Sequence, residues 1–67
     1  MLRVETEREE ETDRWLADIP ALPGVMAYGR TEAEARAAAM ALAFRVMAER
    51  IEHNEPLPPE ALTLFAA

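Results

Sequence analysis

From Glu32 to about His53 the chain runs about 22 residues without glycine or proline and rich in alanine, enough for a helix about 33 Å long. That is long for a chain of 67 residues, and it leaves the N-terminal half to supply whatever the helix lies on. The start of the helix is written locally. Thr31 stands three residues before Glu34, so the hydroxyl and the carboxylate can each take one backbone donor that the first turn leaves free. At the other end Asn54 suits a left-handed cap, His53 sits in the last turn where an imidazolium favours the helix dipole, and Pro56, Pro58 and Pro59 forbid continuation.

At about 100° per residue, Ala33, Ala37, Met40, Phe44, Met47 and Ile51 fall on one stripe, which predicts the face that covers a sheet. A second group, Ala35, Ala39, Leu42 and Val46, lies on roughly the opposite side, where a helix resting on one sheet is normally polar. These four are the candidate interface with another subunit or another protein. Alanines left in solvent as helix formers, or a tail folded back over them, account for the same pattern.

Ahead of the helix the pattern has period two. Leu2, Val4 and Thr6 alternate with Arg3, Glu5 and Glu7 in a first strand running from Leu2 to Glu9, and Glu10 to Asp13 make a turn. Trp15, Ala17 and Ile19 then alternate with Leu16 and Asp18 in a second strand, close enough to the first for a hairpin. Pro20-Ala21-Leu22-Pro23-Gly24 interrupts the ladder, since proline offers no donor and glycine accepts a positive φ. Val25 to Tyr28 is a short third strand ended by Gly29, and the alternation in Ala61-Leu62-Thr63-Leu64-Phe65 favours a fourth strand over a helical turn. The expected fold is α+β, a three- to four-stranded antiparallel sheet packed by one long helix in the order β-β-β-α-β.

A chain this short holds one core, so residues 1–67 are read as a single domain. Without cysteine there is no disulfide framework and no thiolate metal site, and stability rests on packing or on oligomerisation. No apolar run is long enough to span a bilayer, and Met1-Leu2-Arg3-Val4-Glu5 lacks the core and basic flank of a signal peptide, so a cytoplasmic protein is expected. Thirteen acidic residues against seven arginines give a net charge of −6, which disfavours direct DNA binding and favours basic partners. Charge of this size also serves solubility alone.

Nothing in the sequence marks an enzyme. A hydrolase with two metal ions needs several carboxylates converging on one pocket. Glu5 and Glu7 share a strand face, but the wet side of an acidic hairpin explains them. There is no serine or cysteine nucleophile, no glycine-rich phosphate loop and no paired histidine spacing, so no catalytic residue, metal or cofactor is expected. Trp15 and Tyr28 lie on neighbouring strands without the basic surround that a nucleic-acid platform needs. Trp15 is expected beneath the helix, with Tyr28 beside it and its hydroxyl wet.

Taken in order, Trp15-Leu16-Ala17-Asp18-Ile19-Pro20-Ala21-Leu22-Pro23-Gly24, then Gly29, then Thr31 with Glu34-Ala35, resemble the N-terminal domain of the HicB antitoxin family over about residues 2–53. The resemblance implies a reduced ribonuclease-H-like sheet and helix without that enzyme's working carboxylates. It also implies a module that neutralises a small basic mRNA-cleaving toxin of the HicA type by occlusion. Many family members continue into a C-terminal DNA-binding domain, which is not expected here because the sequence stops at Ala67. On this reading the acidic residues of the first strand, Glu5, Glu7 and Glu9, are the candidate partner-binding set. A stand-alone homo-oligomeric module, joined through Ala35, Ala39, Leu42 and Val46, is the alternative.

Overall fold

The computed structural model describes residues 1–65, and they form three strands, one α-helix and a closing 3₁₀ helix. Strands β1 (Glu5–Glu9), β2 (Arg14–Asp18) and β3 (Met26–Gly29) make an antiparallel sheet in the order β1-β2-β3, and helix α1 (Glu32–Glu52) packs on one side of it, chiefly over β3 and β2. This is the expected α+β arrangement. Two differences concern its ends. The alternation that begins at Leu2 becomes a ladder only at Glu5, whose partner is Asp18. Beyond Asp18 the partner strand turns away at Pro20, so Leu2 and Val4 have no strand to pair with and instead pack half-buried against the core. The tail does not add the expected fourth strand: Pro59–Leu64 is a 3₁₀ helix. Pro59 takes its first position, and Ala61, whose N–H donates to Pro58 O, is fully buried. Ala66 and Ala67, which follow the predicted tail element, lie outside the described residues.

The connection from β2 to β3 is two consecutive turns. Leu22 N–H donates to Ile19 O at 2.9 Å, Val25 N–H donates to Leu22 O at 2.9 Å, and Ile19 N–H donates to Val25 O at 3.1 Å across the base. Gly24, with φ 89°, holds the third position of the second turn, where a type II turn needs a positive φ. This bend aims Leu22 inward, and among the described residues it is the one large side chain that is completely buried.

Both helix ends follow the sequence. Thr31 Oγ1 accepts from Glu34 N–H at 3.1 Å, and the Glu34 carboxylate accepts from Arg30 N–H at 2.9 Å. At the far end Asn54 is left-handed, with φ 58°. Its N–H donates to Ile51 O and that of Glu55 to Arg50 O, the paired bonds of a Schellman cap. His53 Nδ1–H donates to Glu49 O at 2.8 Å.

The face of the helix that meets the sheet is not the one its large side chains predict. The buried residues of α1 are Ala35, Ala39, Ala43 and Met47. Of the expected stripe only Met47 is buried, while Ala33, Ala37, Met40, Phe44 and Ile51 are exposed. Separation decides this. On the helix side of the sheet Thr6, Ala17 and Ala27 stand in one row, and Arg8, Trp15 and Gly29 in the next. A Cβ at Gly29 would come within 2.4 Å of Ala35 N, so the start of the helix lies against bare strand backbone. At that distance only alanine fits along the first turns of the helix, where a larger side chain would hold the layers apart, and the large buried side chain of this face, Met47, comes three turns later. Ala35 and Ala39, predicted as an interface with another chain, are therefore in this chain's own core, with Leu42 and Val46 half-buried against it.

Candidate functional site

The sheet has a second face that no helix covers, and strand alternation assigns its residues. Its rows are Glu5, Asp18 and Met26, then Glu7, Leu16 and Tyr28, then Glu9 and Arg14. Glu5, Glu7 and Glu9 thus form one column along the outer strand, as the sequence predicts, with an apolar strip of Leu16, Tyr28 and Met26 beside them. Tyr28 is on the opposite side of the sheet from Trp15, which corrects the expectation that the two rings pack together. Trp15 stands across from Gly29 on the helix side and packs against the core.

The three carboxylates are in different situations. Glu9 accepts from Arg14 at 3.1 Å and from the Thr12 hydroxyl at 2.9 Å. Arg14 in turn lies over the Tyr28 ring, 4.1 Å from its centroid, so the hairpin end of the face is tied into a stack of Glu9, Arg14 and Tyr28. Glu5 has a loose pairing with Arg3 at 3.6 Å, and Glu7 has no ion pair among the described residues. Glu5 also sits directly across the ladder from Asp18. Like charges so placed cost a sheet stability, and among the described residues the one ion pair to either of them is the loose one with the exposed Arg3.

Opposite the face, Thr6 Oγ1 donates to the Glu32 carboxylate at 2.7 Å and fastens β1 to the start of the helix. The carboxylate column is thereby mounted on a strand held from behind. Chemically, the face is an apolar strip with carboxylates along its β1 side and the Arg14 guanidinium at its hairpin end. Among the described residues, no three His, Asp or Glu side chains converge so as to hold a metal ion, and no helix is long and apolar enough to cross a membrane.

The sequence located the carboxylates but not Leu16, Tyr28 and Met26 as their neighbours. The signal was present in part, because Leu16 is out of phase with Trp15, Ala17 and Ile19. Tyr28 and Met26 needed the β2–β3 register. Comparison with family models, curated proteins and solved structures finds no match to this chain. Its fold and open face define a small α+β module with one sheet face covered by its own helix and one available to a partner.

Proposed function

We propose that this chain is an antitoxin-like protein-binding module that acts in the cytoplasm and neutralises a small basic mRNA-cleaving toxin by occlusion. The observation that carries the reading is the open sheet face, where Glu5, Glu7 and Asp18 lie beside Leu16, Tyr28 and Met26, and where among the described residues Glu7 and Asp18 have no ion pair. The chain tolerates the opposition of Glu5 and Asp18 at a cost to its own stability, and a cationic partner removes that cost on binding. An RNA-cleaving toxin needs a basic surface for phosphate, and an acidic module attracted to that surface excludes RNA from it while speeding encounter. The resemblance of residues 15–35 to the HicB pattern points to the same partner class, and the net charge of −6 argues against direct DNA binding.

The test is co-expression with the small basic toxin-like product of a neighbouring reading frame, followed by titration of the purified pair. Rescue of growth, and a complex that weakens as salt rises, are the expected results. The double variant Glu5→Gln, Glu7→Gln should lower affinity about tenfold, mostly through the association rate, while leaving the fold intact. Absence of both complex and rescue removes the antitoxin reading.

A further inference from the structure

We infer that α1 pairs with its counterpart in a second copy of this chain, through the flank that carries Met40, Phe44 and Ile51 together with Leu64 and Phe65 of the tail. This surface borders the N-terminal residues Met1, Leu2 and Val4 and does not include the open sheet face, and the inference does not depend on the proposed toxin partner.

The first argument is where the large apolar side chains are. Among the described residues nine are buried, five of them alanine, and Leu22 is the only large one fully enclosed. Both phenylalanines of the chain lie outside on this flank, Phe44 at 61% and Phe65 at 65% exposure. A domain of this size has little core to stabilise it, and here the side chains best able to do so face outward.

Area gives the second. At about 200 Å² for a large side chain, the exposed fractions of Met40, Phe44, Ile51, Leu64 and Phe65 leave about 550 Å² of apolar surface. Two grooves that share Phe44, Met47 and Leu64 make this surface continuous. A standard interface takes about 800 Å² from each partner, about 65% of it apolar in homodimers, so the flank supplies the apolar part of one such interface.

Pattern and charge identify the occupant as a second copy. Ala33, Ala37, Met40, Phe44, Met47 and Ile51 are spaced alternately four and three residues apart, the seam of a two-helix pair. Of these six Met47 alone is buried in the chain's own core. Among the described residues lining the two grooves only Arg36 has a charged side chain, so two chains each of net charge −6 can meet over these side chains without opposing their carboxylates. A two-fold pairing then covers the same surface on both copies.

Light scattering and sedimentation at about 100 µM, above the micromolar Kd of a weak interface of this size, should give twice the chain mass. Phe44→Glu should give a monomer with the same far-ultraviolet circular dichroism. Because the chain has no cysteine, Met40→Cys should oxidise to a covalent dimer, whereas Val46→Cys on the other flank should not, and this readout holds even if Phe44→Glu fails to fold. A monomeric wild type at that concentration overturns the inference. So does a dimer that survives Phe44→Glu, or one that cross-links through Val46→Cys and not through Met40→Cys.

Discussion

Gly29→Ala tests the physical reason for the observed packing. The φ at Gly29 is not in the left-handed region, so the added methyl meets a steric obstacle only. It would stand 2.4 Å from Ala35 N, 2.8 Å from Glu34 Cβ and 2.9 Å from Glu34 C, where ordinary contact begins near 3.4 Å. The start of α1 must therefore lift by about 1 Å, a gap that forfeits a quarter to a half of the dispersion between the layers. Overpacking of this kind costs about 1–3 kcal/mol, and replacing a strand glycine by alanine returns about 0.5–1 kcal/mol. Because the obstacle is helix backbone and cannot rotate aside, the net loss should be about 2 kcal/mol. That is a large part of the about 3–5 kcal/mol a domain this small commands, and it should lower Tm by about 10 °C. Urea titration at matched chain concentration, followed by circular dichroism and by the fluorescence of Trp15, measures it, since the single tryptophan lies directly across from Gly29. Ala35→Gly should not rescue the variant, because the blocking atom is a main-chain nitrogen. A loss below about 0.5 kcal/mol, within the range of ordinary surface changes, or rescue by Ala35→Gly, would refute the account of why alanines face the sheet.

Leu22→Ala should cost about 2–4 kcal/mol, enough to leave much of the chain unfolded at room temperature, because no other large side chain among the described residues is fully enclosed and the two-turn bend cannot collapse around the cavity; an unfolding curve near wild type would show that the bend is not part of the core. Thr31→Ala removes the hydroxyl that accepts from Glu34 N–H and should cost about 1 kcal/mol by the same titration, whereas Thr31→Ser should cost only a few tenths.

Several features of this molecule were legible along the chain because each is decided within a few residues. Thr31 and Glu34 placed the start of the helix, Asn54 and the prolines its end, and Pro20 to Gly24 a bend rather than a continued strand. Period-two alternation put Glu5, Glu7 and Glu9 on one strand face. These signals survive in the structure because a cap, a fixed proline φ or a positive glycine φ involves neighbours that cannot separate.

The tail shows where local reading fails. Alternation of Ala61 to Phe65 fits a strand, yet Pro59 starts a 3₁₀ turn and Ala61 fills a gap in the core. No property of those five residues says whether a sheet edge is within reach of them, and among the described residues none pairs with them.

The same limit governs the central question of which helix face is buried. The sequence by itself determined that α1 carries two apolar groups, one of large side chains and one mainly of alanines. Hydrophobicity alone favours burying the larger. Only the tertiary structure decided otherwise, because burial requires fit as well as apolarity. Gly29 and Ala27 bring the sheet backbone so close that alanine fills the space and phenylalanine does not. That separation is set jointly by residues far apart in the chain, and periodicity along one helix contains no information about it.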